Sequence, residues 1–194
     1  MLERLTKWDV ELFVYLNNLG IEQYDAFWIF VTQIKHWVPL YILFFVLFYV
    51  SFKAKNALFA SFATILTFLI TFGFTRLVKN GVARIRPSFD EKLAGTIRVL
   101  QESSHFSFFS GHAASSFAVT TFVVLLLRRD FKWIYLAYVW PILFATSRIY
   151  VGVHYPSDVL VGALVGTLFA VVLYKLFNKH VPLKKPKDRV DLSA

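Results

Sequence analysis

Three short segments of this chain collect the side chains that move protons and bind anions. In Ser147-Arg148-Ile149-Tyr150-Val151-Gly152-Val153-His154-Tyr155-Pro156-Ser157-Asp158, a histidine precedes an aspartate by four residues. Pro156 suits the start of a helix, which puts Asp158 in its first turn. There the carboxylate can accept the Nδ1–H of His154, fixing the tautomer that leaves Nε2 as a nucleophile or base. Alone, a His–Asp spacing of four is a weak signal. In Phe109-Ser110-Gly111-His112, a Ser at a helix N-cap followed by Gly leaves backbone N–H groups free to face an anion. Ordinary capping beside an interfacial His accounts for that segment at least as well. The third segment, Lys79 to Arg86-Pro87, sets two cations at the exit of an apolar stretch, where snorkelling explains most basic residues. Convergence of the three on one site is the stronger signal, because it would join an anion cradle to two histidines.

The elements that must position these segments are apolar. Residues 36–52, 56–75, 103–127, 133–147 and 159–174 carry no Asp, Glu, Lys or Arg. A bilayer crossing needs roughly 17–25 residues, and a helix can run past a flanking charge that snorkels. The runs predict spans over Lys35–Phe52, Asn56–Val78, Ser110–Leu127, Trp133–Val151 and Ser157–Phe177. Hydrophobic residues make up 57% and charged residues 17% of 194, with 22 Phe, 9 Tyr and 5 Trp; the mean hydropathy is +0.58. A soluble bundle would have no polar face left for its helices, and disorder is excluded. With no Cys, thiolate metal sites and disulfides are excluded too. The net charge of +9 fits a membrane face or an anionic substrate better than nucleic acid in such a chain. The expected fold is therefore all-α: a polytopic membrane bundle of five core spans, or six if the N-terminal segment supplies an imperfect one.

Residues 1–34 alternate apolar and charged side chains and predict two interfacial helices, with a stop at Asn17-Asn18-Leu19-Gly20. The core bundle covers 35–177 of a single membrane domain over 1–178, and 179–194 reads as a basic tail. Alternating spans put Lys53, Lys55, Arg128, Arg129, Lys132 and the tail on one face. Lys79, Arg84, Arg86, Asp90, His105, Ser110, His112, Arg148, His154 and Asp158 collect on the other. With Lys79, Arg86 and Arg148 set aside as functional, the basic excess puts the tail in the cytoplasm and the histidines outside.

Lys-x6-Arg-Pro, Ser-Gly-His and Ser-Arg-x5-His-x3-Asp, in that order, resemble the signature of the type 2 phosphatidic acid phosphatase superfamily, which includes lipid phosphatases and vanadium haloperoxidases. The motifs cover residues 79–158, and the span layout extends the resemblance over about 35–177. It implies that Lys79, Arg86 and Arg148 neutralise phosphate oxygens, with Ser110 and the Gly111 N–H as neutral donors. His154, held by Asp158, would attack phosphorus to give a phosphohistidine, and His112 would protonate the departing oxygen and then activate water. No metal or other cofactor is implied, since the carboxylates are too few and scattered for a two-metal clamp. Phe109 stands where the family usually has Pro, a change that removes no chemical group.

The outer face, Phe-rich walls and short loop between Pro87 and Ser110 resemble small bacterial undecaprenyl-diphosphate phosphatases of the inner membrane. Phosphatidylglycerophosphate and lipid A phosphatases share the motifs. A transporter would carry charges near the bilayer midplane, whereas these gather at one end. The haloperoxidase branch is soluble, which this composition is not.

Overall fold

The computed structural model describes residues 2–104 and 106–180; His105 and the tail from 181 lie outside the described residues. Helices α1 (Leu2–Asn18) and α2 (Asp25–Val31) precede α3 (Val38–Ser51) and α4 (Ala54–Val82). A long loop then leads to α5 (Gly111–Leu127), α6 (Val139–Tyr150) and α7 (Pro156–His180). No strand occurs among the described residues. The last helix continues through Lys179 to His180, past the boundary predicted for the tail.

Among the described residues, three helical stretches are long and apolar enough to cross a bilayer: Ile34–Ser51, α4, and Pro156–Lys179. Helix α5, with 17 residues, is shorter, and α6 has 12 where a continuous span over Trp133–Val151 was predicted. Proline explains the α6 difference. Pro141 has no N–H to give to the carbonyl of Ala137 and its ring crowds that carbonyl. The α-helix therefore starts at Val139, and Lys132–Tyr138 winds as a 3₁₀ helix before it. Pro39 does the same in the first turn of α3, which follows a 3₁₀ turn at Ile34–Trp37 instead of starting at Lys35.

Polarity runs inside out. Along α4, Leu58, Phe62, Ile65 and Leu69 are exposed, whereas Ser61, Thr64, Thr67, Thr71 and Thr75 are buried. Each of these hydroxyls is satisfied by the carbonyl four residues back, at 2.8–2.9 Å. On α7, Leu160, Leu164 and Leu168 likewise face outward. A helix with its apolar face out and its polar face in is dissolved in lipid, not water.

Helix α5 is the buried centre, packed against α7, α4 and α6. Its contact with α7 is close because small residues face each other. A Cβ on Gly162 would lie 2.6 Å from the Ser110 carbonyl oxygen, and one on Gly166 would lie 2.0 Å from that of Ala114. Ala113, Ala114, Ala118 and Ala170 are fully buried. The Gly162-x3-Gly166 spacing brings the backbones together as in other membrane helix pairs.

Helix α1 is two-faced. Leu5, Trp8, Leu12, Tyr15 and Leu19 point outward, while Phe13 and Asn17 are fully buried. The helix stops at Asn18, as the Asn-Asn-Leu-Gly sequence predicts, and Asn17 does more than stop it. Its Nδ2 donates to the carbonyls of Arg98, Ile149 and Tyr150 at 3.0–3.1 Å, and its Oδ1 accepts the Arg98 N–H at 2.7 Å. It thus fixes the loop before α5 against the end of α6. Gly152, with φ +84°, makes the turn that follows, where a Cβ would sit 2.4 Å from the Arg98 carbonyl oxygen.

Candidate active site

The start of α5 is tied to the start of α7: the Ser110 N–H donates to the Asp158 carbonyl at 2.9 Å. In the loop before α5, the Ser107 N–H donates to the Arg84 carbonyl at 2.8 Å. These tethers bring all three motif segments to one end of the bundle.

His154 lies in the turn between α6 and α7 and is 1% exposed. Arg86 Nη1 approaches its Nε2 at 3.0 Å. A guanidinium can only donate, so Nε2 holds a lone pair and the proton sits on Nδ1, the tautomer that the spacing predicts. Burial, with the Arg86, Lys79 and Arg148 charges nearby, holds the imidazole well below its usual value of 6.5 and so neutral.

The partner of Nδ1 differs from the simple His–Asp pair predicted. Asp158 Oδ2 stands 3.4 Å away and Ser107 Oγ 3.3 Å away, both long for a hydrogen bond. Ser107 lies 2.5 Å from the same Oδ2 and donates its hydroxyl proton to it. The reason is competition: Asp158 Oδ2 also accepts the Tyr155 N–H at 3.0 Å, and Oδ1 accepts from Arg84 at 2.8 Å. Ser107 and Arg84 are the partners that sequence reasoning missed. Arg84 lies inside the Lys79–Arg86 segment, but no spacing rule selects it, and Ser107 belongs to no motif read above.

The other predicted residues divide by position. Lys79, Arg86, Gly111, His112 and His154 line one cavity. Ser110, Arg148 and Asp158 are buried behind its wall, with 0–2% exposure. Ser110 is the N-cap of α5, its Oγ accepting from the Ala113 N–H at 3.4 Å, so its geometry is that of ordinary capping. Arg148 donates through Nη1 to the Thr32 hydroxyl and, at 2.8 Å, to Gln101 Oε1. Its buried Nε has no hydrogen-bond partner. Lys79 Nζ donates to the carbonyls of Phe106 and Ser107 at 2.7 and 2.8 Å. His112 rests against Phe144, with ring centroids 4.9 Å apart. Asp90 accepts from the Lys92 N–H at 3.1 Å and the Tyr155 hydroxyl at 3.4 Å. Among the described residues, no group of three or more His, Asp and Glu side chains is placed to hold a metal ion.

The cavity has a volume of about 630 Å³. From the histidines it extends between α3, α4, α5 and α6 along Tyr41, Phe44, Phe68, Phe72, Val119 and Phe144. A cationic end therefore opens into an apolar channel within the bundle. This is the form of a site for an amphiphile with an anionic head.

Comparison with known proteins agrees with that form. The PAP2 superfamily profile matches residues 56–182, and the chain belongs to this superfamily of phosphatases. It is 30% identical to a lipid A 4′-phosphatase of Bacteroides thetaiotaomicron, covering 92% of this chain and 81% of that protein. It is 27% identical to an undecaprenyl-diphosphatase of Sulfolobus acidocaldarius, over 91% and 82% of the two chains. The crystal structure of a transmembrane PAP2-type phosphatidylglycerolphosphate phosphatase from Bacillus subtilis superposes with a TM-score of 0.73 at 22% identity, covering 92% of this chain and 88% of that one. The protein is an integral membrane lipid phosphatase of helical fold.

Proposed function

We propose that the protein removes phosphate from the head group of a membrane lipid through a phosphohistidine at His154, without a metal. The observation that carries this reading is the state of His154: neutral, protonated on Nδ1, its Nε2 lone pair at a cationic cavity end that opens into an apolar channel. Nε2 attacks phosphorus as the bond to the leaving oxygen breaks, and His112 gives that oxygen its proton. Water, deprotonated by His112, then attacks the phosphohistidine and releases phosphate. Lys79, Arg86, the free Nε of Arg148 and the N–H of Gly111 at the α5 N-terminus offset the charge on the equatorial oxygens. Ser110 contributes chiefly by capping that helix.

The substrate we favour is undecaprenyl diphosphate, because one apolar channel suits a single polyprenyl chain better than a fan of acyl chains. The lipid A 4′-phosphatase relative supports a second reading, in which the head group is a lipid A-type glycolipid monophosphate. The site faces the outside of a bacterial inner membrane, with the C-terminus in the cytoplasm. Phosphate release by detergent-solubilised protein from a panel of lipid mono- and diphosphates tests the reading. Release from at least one lipid, lost in His154→Ala, supports it; release from none defeats it, and the order of rates separates the two substrates.

A further inference from the structure

Asp158 does not end the chain of polar contacts that starts at His154. Its Oδ1 accepts from Arg84 Nη1 at 2.8 Å, and Arg84 Nη2 reaches Asp9 Oδ2 on α1 at 2.7 Å. Asp9 in turn takes the Ser157 N–H at 2.8 Å and the Ser157 hydroxyl at 2.5 Å, at the first turn of α7. Arg84 Nη1 also donates to the Ser157 hydroxyl at 2.8 Å, and its guanidinium lies 3.9 Å from the Tyr155 ring centroid. Tyr155 packs edge-on against the buried Phe13 of α1 at 5.4 Å. Arg84 is thus clamped on three sides, with its side chain only 21% exposed.

We propose that Arg84 and Asp9 are positioning residues that govern His154 through Asp158. Arg84 draws off part of the Asp158 charge, so Asp158 orients the imidazole without taking its proton. Asp9 holds Arg84 in that place and joins the pair to the interfacial helix α1. The inference rests on His154 being the nucleophile of a phosphatase, as proposed above.

The test is the acidic limb of the kcat/KM–pH profile, which reports the free enzyme's essential base. The charged or titratable groups around His154 are Lys79 from α4, Arg84 and Arg86 from the loop, His112 from α5, Arg148 from α6 and Asp158 from α7. Arg84→Gln removes one cation and leaves Asp158 more negative, and both changes favour protonated His154. The limb is expected to rise by about one pH unit, while Arg84→Lys, which keeps the charge, stays near the wild-type position. Asp9→Asn keeps the guanidinium charge, so turnover falls but the limb does not rise. The substrate's own ionisation is common to every variant, so displacement between variants belongs to the protein.

Should Arg84→Gln fail to fold, the double variant Asp9→Asn/Arg84→Gln removes both charges without leaving either unpaired, and its limb is expected to rise. An unmoved limb in the folded Arg84 variant, or an equal rise in Asp9→Asn, would overturn the proposal. Phosphate release by the wild type tests the phosphatase reading separately; the displacement between variants tests this one.

Discussion

At the scale of single residues, the proposed mechanism gives the two histidines different jobs, and the difference is measurable. His154→Ala is expected to abolish both turnover and an acid-labile, base-stable phosphoenzyme seen by rapid quench with radiolabelled substrate. A labelled serine at Ser110 would contradict the assignment. His112→Ala is expected to discriminate between substrates. A lipid monophosphate expels a basic alkoxide that needs a proton, whereas a diphosphate expels a lipid phosphate whose second pKa is about 6. General acid catalysis is worth about 10²–10⁴-fold, so single-turnover rates should fall toward that extent for monophosphates and distinctly less for diphosphates. Equal losses would make His112 a binding or water-activating group instead. His154 also carries a stability signature. Its folded-state pKa lies below 6.5, so the unfolded chain binds the proton first. Stability is then full above about pH 6.5 and declines as pH falls below it. Unfolding temperatures in detergent should show that slope, and His154→Asn should show less of it.

Helix-scale predictions follow from how α5 and α7 meet. Their backbones touch at Gly162 and Gly166, where a Cβ would lie 2.6 Å or less from a carbonyl oxygen. Overpacking of this kind costs typically 1–3 kcal/mol. Gly166→Ala should lower the unfolding temperature and also reduce activity, because the same contact sets Ser110 and Gly111 against the start of α7. Gly81→Ala, where a Cβ meets nothing within 4 Å, is the matched control. A Gly166→Ala protein as stable and active as the control would show that the contact relaxes at no cost. The stripe of Trp8 and Leu12 on α1, about half exposed, is expected to lie in the membrane interface. Leu12→Glu should therefore reduce turnover of lipid in vesicles much more than turnover of a short-chain phosphate in solution.

Over the whole molecule, the proposed sidedness rests on charge distribution and the proposed mechanism on charge type. In the proposed orientation the C-terminus lies in the cytoplasm, on the side of the basic excess. A reporter fused after Ala194 should behave as cytoplasmic, and a Cys introduced near Asp90 should react with an impermeant thiol reagent in intact cells. The chain has no native Cys to interfere. The reverse pattern would mean a phosphatase facing the cytosolic lipid pool. In the proposed mechanism Lys79, Arg86 and Arg148 supply the positive charge, so activity should survive EDTA, and vanadate should inhibit by occupying the place of five-coordinate phosphorus. Activity lost in EDTA and restored by Mg²⁺ would defeat the metal-free mechanism.

Much of this was decided within single segments. Charge-free runs, a His four residues before an Asp, and Ser-Gly-His at the mouth of an apolar helix are local patterns. They bounded the helices other than α6 to within a few residues and selected the residues that come together at one end of the bundle. The late starts of α3 and α6 at Pro39 and Pro141 were not read from the sequence, because charge-free runs extend past both prolines. Contacts between distant segments were not legible. Ser107 meets Asp158 across 51 positions and Arg84 meets it across 74, because the loop before α5 folds back over the start of α7. Nothing in the type of either residue sets it apart from an ordinary loop serine or an interfacial arginine. Tertiary structure alone decided that Arg148 is held by Thr32 and Gln101, and that Asp158 is shared among four donors. A carboxylate has about four lone-pair positions, and which donors fill them depends on which backbones the packing brings within 3 Å.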